Sequence, residues 1–171
     1  MSPNILILVA GAVLILIMIL LWIWNHMVVQ FHHFKQMQSE MVERFAHRRD
    51  VIPYLIESYR SAVPDVSSAA NEKLGEIISQ RSQTWETREF DAIWAQEQSL
   101  EEKIQDFYNQ VENRPELKHD IGWLEAYNDI QTIHEEVEAH EKEYKDLRTR
   151  LEKKSKTFPF TLFSGSLKRE L

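Results

Sequence analysis

The sequence predicts an all-α protein in which an N-terminal transmembrane helix continues into an antiparallel four-helix bundle of coiled-coil character. Three observations support this class: a long uncharged apolar run near the N-terminus, heptad spacing of apolar residues after it, and only 4 glycines. The predicted organisation is a short extracytoplasmic N-terminus at 1–4, a transmembrane helix at 5–24, the bundle at 26–157 and an apolar and basic tail at 158–171.

The apolar run extends from Ile5 to Trp24 without a charged residue. As a helix it measures about 30 Å, which matches the hydrocarbon core of a bilayer. Trp22 and Trp24 stand at its end, where indole rings favour the membrane interface. A cleaved signal peptide would need basic residues before the run, and residues 1–4 carry none. A buried core helix is seldom so long and so uniformly apolar.

Basic residues follow this run but do not precede it: Lys35 and Arg44 come soon after the span. The positive-inside rule therefore predicts a single-pass protein with its N-terminus outside the cell and its C-terminal domain in the cytoplasm. The difference in charge close to the membrane is small.

Heptad spacing predicts the first two helices of the bundle. The first helix is expected to run to about Ala62, with a kink at Pro53, since proline removes one backbone hydrogen bond. The second helix is expected to begin after a cap at Asp65 or Ser67 and to end near Trp85. In the first helix, heptad spacing places a set of residues on one face, which we call the seam and expect to be buried. These seam positions are Met27, Phe31, Phe34, Gln38, Met41, Phe45, Arg48, Ile52, Leu55 and Tyr59.

Two further helices follow. The third is predicted from Phe90 to Val111, with Thr84 or Thr87 as its cap, and it contains Glu97 at a seam position. The fourth is predicted from near Asp120 to about Lys156. Helices joined by short turns pack as antiparallel neighbours, so the tail at 158–171 is expected to return to the bilayer. There it docks on the membrane or packs along the bundle.

Several short motifs follow one another along the chain. The segment 48–55 reads RRDVIPYL, the segment 115–118 reads PELK, and a long helix then carries one tyrosine, with Phe-Pro fourteen residues further on. In this order and spacing they resemble the LemA family of bacterial membrane proteins, of which the chain is identified as a divergent member. The residues that carry the resemblance are Arg48, Arg49, Asp50, Ile52, Pro53, Leu55, Pro115, Leu117, Lys118, Tyr144, Phe158 and Pro159.

The resemblance implies a membrane-anchored antiparallel helical bundle with a short external N-terminus, and it implies no established chemistry. The family's tyrosine–asparagine pairs fall here on Tyr144-Lys145 and Leu151-Glu152. Polar contacts made by the family's asparagines are therefore not expected in this chain.

Arg48, Arg49 and Asp50 form the strongest polar cluster of the sequence. Arg48 occupies a seam position, which predicts that it pairs inside the bundle with Glu97, because a buried charge needs a hydrogen-bonded partner. The alternative is that Arg48 binds an acidic group of a partner or a lipid phosphate.

The fourth helix places His134, Glu138 and Glu141 on one face, at a spacing that can ligate a divalent metal. The simpler interpretation is an exposed acidic face, and we predict no metal, no cofactor and no catalytic residue. The sequence has no cysteine, no glycine-rich phosphate loop and no serine-nucleophile or zinc-protease motif. The net charge of −7 disfavours nucleic acid as a partner.

These observations favour a non-enzymatic, membrane-anchored helical bundle that acts as a scaffold or interaction module. Its expected partners are the lipid bilayer and either a second copy or another membrane protein, and no small-molecule substrate is indicated. One alternative is a structural membrane-anchored coiled-coil oligomer. A second is a metal-binding or hydrolytic membrane protein.

Overall fold

The computed structural model describes residues 3–85 and 89–157, and all regular structure within these ranges is helical. The predicted all-α class is therefore confirmed for the described residues. The predictions for Phe158, Pro159 and the tail at 158–171 lie outside them. The elements are α1 (Pro3–Ala62), α2 (Ser68–Ser82), α3 (Phe90–Val111), a five-residue 3₁₀ helix (Pro115–His119) and α4 (Ile121–Ser155).

Side-chain caps fix two of the helix starts. The Ser67 hydroxyl accepts a hydrogen bond from the Ala70 N–H at 3.3 Å, and Asp120 Oδ1 accepts one from the Trp123 N–H at 2.7 Å. Each side chain satisfies one of the backbone donors that a helix start leaves free. α1 ends at Ala62 as predicted, and it continues through Pro53.

α3 begins at Phe90 as predicted, but the predicted threonine cap was wrong. Its N-cap is Glu89, in extended conformation and without a side-chain cap hydrogen bond. Thr84 lies six residues before Phe90, too far along the chain to cap the first turn, and Thr87 lies outside the described residues. α2 ends at Ser82, before Trp85, because the backbone at Gln83 is extended.

Contacts divide the chain into two compact units, and the described residues of the first are 3–37 and 141–157. Within it the Phe34 and Tyr144 rings stack with centroids 5.0 Å apart. Lys154 Nζ donates to Gln30 Oε1 at 2.8 Å. These contacts join the part of α1 that follows the apolar run to the last turns of α4.

The apolar run itself is exposed to the surroundings. Leu8 is 73 % and Trp22 70 % accessible, and most large apolar side chains between them are exposed as well. In the described part of the chain, one helix is long and apolar enough to cross a membrane, and none of its most apolar stretch is buried. A soluble protein would normally bury such a surface.

The second unit, Gln38–His140, contains an apolar core built from α1, α2, α3 and α4. Ile52, Leu100 and Ile130 are among its fully buried side chains. Aromatic rings fill one part of this core, with centroids 4.8 to 6.3 Å apart. These rings belong to Tyr59, Phe107, Tyr108, Trp123 and Tyr127.

Ion pairs connect α2 with α3 on the surface of the second unit. Glu76 Oε2 lies 3.3 Å from Lys103 Nζ, and Lys73 Nζ lies 3.4 Å from both Glu76 Oε1 and Asp106 Oδ2. Hydrogen bonds from Lys103 and Lys73 lower the pKa of Glu76, and hydrogen bonds to Glu76 and Asp106 raise the pKa of Lys73.

We expect Glu76→Gln to make the stability of the protein less sensitive to acid. Because the pKa of Glu76 is lower in the folded chain, its pairs stabilise the fold fully above the ordinary glutamate pKa of about 4.3. This stabilisation is lost as the pH falls through the still lower pKa of the folded state. The urea midpoint, followed by circular dichroism between about pH 5 and pH 3, should fall less steeply for the variant. Glu72→Gln, at an exposed position of the same helix, should retain the original slope; identical slopes for all three proteins would contradict the expectation.

Candidate functional site: a buried arginine–glutamate cluster

Arg48 of α1 is the largest charged side chain in the interior, and it is only 2 % exposed. Its Nη2 donates to Glu97 Oε2 and to the Glu97 carbonyl oxygen, both at 2.9 Å, and its Nη1 donates to Glu101. Glu97 itself is 1 % exposed. The predicted pair between these two seam positions is therefore present, and it connects α1 with α3.

Arg49 connects the same carboxylate to the end of α2. Its Nε donates to Glu97 Oε1 at 2.6 Å, and its Nη1 donates to the carbonyl oxygens of Arg81 at 3.1 Å and Gln83 at 2.6 Å. A helix C-terminus leaves such carbonyls without intrahelical donors and carries partial negative charge, so a guanidinium there is doubly favourable. The Arg49 guanidinium also lies 5.1 Å from the centre of the Trp85 ring, whose Nε1 donates to Glu97 Oε1 at 3.0 Å.

Pro53 creates a free backbone carbonyl in α1 that a third arginine, Arg81, binds. Proline has no N–H, so in α1 the carbonyl oxygen of Arg49, four residues earlier, lacks its helical donor. Arg81 Nε supplies a replacement, donating to that oxygen at 2.6 Å. Arg49 and Arg81 thus each bond to a backbone carbonyl of the other. The backbone carbonyl that Pro53 leaves free, in the last part of α1, therefore binds the end of α2.

The geometry of the cluster favours a structural role over chemistry. Both carboxylate oxygens of Glu97 accept hydrogen bonds, from Arg48, Arg49 and Trp85. The acceptor positions of this carboxylate are therefore occupied by groups of the cluster itself. Burial of the ion pairs is tolerated because each charge is hydrogen-bonded.

The metal-ligand candidates on α4 make other contacts. His134 Nδ1 lies 3.3 Å from Glu101 Oε1, Glu141 pairs with Lys145, and Glu138 is exposed. Among the residues that the structure describes, no three His, Cys, Asp or Glu side chains are grouped so as to hold a metal ion.

The other motif residues are distributed over the fold. Ile52, Leu55 and Leu117 belong to the apolar core, and Tyr144 is buried against Phe34 in the first unit. Pro115 opens the 3₁₀ helix, while Asp50 and Lys118 are exposed. Their roles remain predictions.

Sequence reasoning missed three members of the cluster. Glu101 follows Glu97 by four residues, so the two carboxylates share a face of α3, and this spacing was a usable signal. Arg81 and Trp85 lie in the polar end of α2 and the turn after it, where no periodicity marks them.

Comparison with known proteins adds one match. The family model described as the LemA family matches residues 34–170, which is most of the chain and includes the whole arginine–glutamate cluster. Searches of curated proteins and of solved structures returned no match.

Proposed function

Since the chain belongs to the LemA family, we propose that it is a non-enzymatic, single-pass membrane protein whose helical bundle acts as a scaffold or interaction module. The observation that carries the proposal is the exposed apolar segment of α1, which needs a bilayer or a comparable apolar environment to cover it. The arginine–glutamate cluster supports the absence of catalysis, because its carboxylates are occupied in holding helices together.

The proposed architecture is an antiparallel helical bundle. Its support is the order of contacts inside the second unit. As the residue number rises along one helix, the number of the contacting residue on the other helix falls, which is the pattern of two antiparallel helices. For α2 and α3 the pairs are Lys73 with Asp106, Glu76 with Lys103, and Gln80 with Gln96. For α1 and α4 they are Glu40 with His140, Arg44 with Glu136, and Tyr54 with Glu125.

The proposed location is the inner membrane of a bacterium, with the N-terminus outside and the bundle in the cytoplasm. Lys35, Arg44, Arg48 and Arg49 follow the apolar segment, whereas residues 1–4 contain no lysine or arginine. This distribution supports the orientation through the positive-inside rule.

Two arginines at the centre of the apolar segment should release the protein from the membrane. Each arginine at the middle of a spanning helix costs about 2.5–3.5 kcal/mol of insertion free energy, so Leu14→Arg with Ile15→Arg removes about 5–7 kcal/mol. We expect the unmodified chain to stay in the membrane pellet after alkaline carbonate extraction, and the double variant to move to the supernatant.

The matched control adds the same charge outside the segment, as Val29→Arg with Ser39→Arg, both at exposed positions. It should remain in the pellet. Release of the control, or retention of Leu14→Arg/Ile15→Arg in the pellet, would contradict the membrane proposal.

The orientation is tested separately, on intact spheroplasts. External protease should leave the bundle intact, and digestion of the bundle would reverse the proposed orientation.

The scaffold role itself is tested by crosslinking the full chain in intact membranes, followed by mass spectrometry. Crosslinks to another membrane protein would support an interaction module. Crosslinks only between copies of this chain, at heptad positions of the bundle, would favour the structural oligomer instead.

A further inference from the structure

A cleft of about 360 Å³ lies in the second unit, where the end of α3, the 3₁₀ helix and the start of α4 meet. Its volume is at the lower end of the range for small-molecule sites, about 300–1,000 Å³. It therefore suits one side chain and its neighbouring groups better than a large cofactor. The cleft is separate from the arginine–glutamate cluster, with which it shares no residue.

Aromatic and apolar side chains form one part of the lining. Tyr108 and Trp123 are largely buried, and their rings meet edge to face with centroids 6.0 Å apart. Tyr127 packs against Tyr108 with centroids 4.8 Å apart, and Leu124 presents an exposed apolar side chain beside them. Such a surface favours a planar or branched apolar group.

Basic side chains form another part of the cleft lining. Arg114 and Lys118 both line the cleft, and in the described part of the chain neither side chain is paired with a carboxylate. The Arg114 charge acts on the buried Tyr59, where it opposes the rise in pKa that burial causes. Glu112 is the only acidic side chain among the described lining residues. The lining therefore carries a net positive charge in a chain whose overall net charge is −7. Two cations without a carboxylate partner, next to an apolar surface, are suited to an anion with an apolar body.

A buried polar group provides a separate observation. Tyr108 is only 7 % exposed, and its hydroxyl group has no hydrogen-bond partner in the described part of the chain. A buried hydroxyl without a partner is costly, and such groups in native proteins call for an explanation. Burial raises the pKa of Tyr108, so the hydroxyl stays protonated and remains a hydrogen-bond donor.

We propose that this cleft binds a carboxylate attached to an aromatic or branched apolar group, as carried by the C-terminal residue of a peptide. Arg114 and Lys118 pair with the carboxylate, while Trp123, Tyr127 and Leu124 contact the apolar side chain. The amide side chains of Gln105 and Gln131, which also line the cleft, are suited to the peptide backbone. This inference adds a ligand to the scaffold proposed above and does not depend on the membrane anchor.

The test uses the full chain in detergent micelles and ligand-observed NMR titrations. The probes are acetyl-Gly-Gly-Phe with a free carboxyl group, the same peptide as its C-terminal amide, and phenylacetate. We expect the free acid to bind at least about tenfold more tightly than the amide, because a charge-assisted hydrogen bond is lost with the carboxylate. Tighter binding of the peptide than of phenylacetate assigns the site to peptide ends, and equal binding assigns it to small aromatic acids.

The variant Arg114→Gln/Lys118→Gln should weaken binding of the free acid at least about tenfold and leave binding of the amide unchanged. Lys142→Gln/Arg150→Gln, which also removes two positive charges but at exposed positions of α4 that do not line the cleft, should bind like the unmodified chain. Circular dichroism establishes that each variant is folded. Equal affinities for acid and amide, no saturable binding, or undiminished binding by the double variant would overturn the proposal.

Discussion

Replacement of Arg48 by alanine is expected to lower the free energy of unfolding by about 3–5 kcal/mol, the usual cost of removing one partner of a buried ion pair. The cost arises because Glu97 is almost completely buried and would lose two hydrogen bonds, one to its carboxylate and one to its carbonyl oxygen. Glu101 would lose its contact with the same guanidinium. The measurement is urea denaturation of the full chain in micelles, followed by circular dichroism.

Arg44→Ala is the matched control, since Arg44 is also on α1 and also pairs with a glutamate. Its Nε lies 3.2 Å from Glu136 Oε2, but both side chains are partly exposed. Ion pairs of this kind contribute about 0–1 kcal/mol. Equal losses for Arg44→Ala and Arg48→Ala would show that burial does not set the importance of the Arg48 pair.

Phe107→Ala is expected to produce a loss of similar size, about 3–5 kcal/mol, because it leaves a cavity among rigid rings. Phe107 is fully buried on α3. Its ring lies 5.0 Å from that of Tyr59 on α1 and 6.1 Å from that of Trp123 on α4, measured between centroids. These neighbours are themselves packed against other rings, so they have little room to collapse into the space.

The same denaturation experiment measures this loss, and Ile78→Ala provides its control. Ile78 is a large apolar residue on α2 that remains substantially exposed, so its truncation should cost about 1 kcal/mol or less. If Phe107→Ala were no more harmful than Ile78→Ala, the aromatic part of the core would not stabilise the fold as described.

Heptad spacing was sufficient to predict the helices because apolar residues at that interval must share one face, and that face is buried. The ends of α1 and α4 fall within about one residue of the prediction. The start of α3 at Phe90 was also predicted, but its cap was not. Instead of a capping threonine, the structure has Glu89 in extended conformation before the helix, with no side-chain cap hydrogen bond.

The cluster was predictable only in part, for a physical reason. Arg48 and Glu97 both occupy seam positions, so their pairing follows from the need to neutralise buried charge. The contacts of Arg49 and Arg81 are to backbone carbonyls at the end of another helix or beside a proline. Such contacts depend on where α2 ends in space, and residue spacing along the chain carries no information on that.

Buried polar contacts of this kind can fix the register of packed helices, because only one alignment brings the partners together. Sliding α1 along α3 would disturb the hydrogen bonds that Glu97 accepts from Arg48 and Arg49 at the same time. We therefore interpret Arg48, Arg49 and Pro53 as residues that align α1, α2 and α3.

A double-mutant cycle on Arg48 and Glu97 tests this interpretation most directly. The free energy of unfolding is measured for Arg48→Met, for Glu97→Leu and for the two combined. We expect a coupling energy of about 2–3 kcal/mol, near the upper end of the range for residues in contact. A coupling within about 0.5 kcal/mol of zero, the scatter seen for independent sites, would mean that the two buried charges do not hold α1 and α3 together.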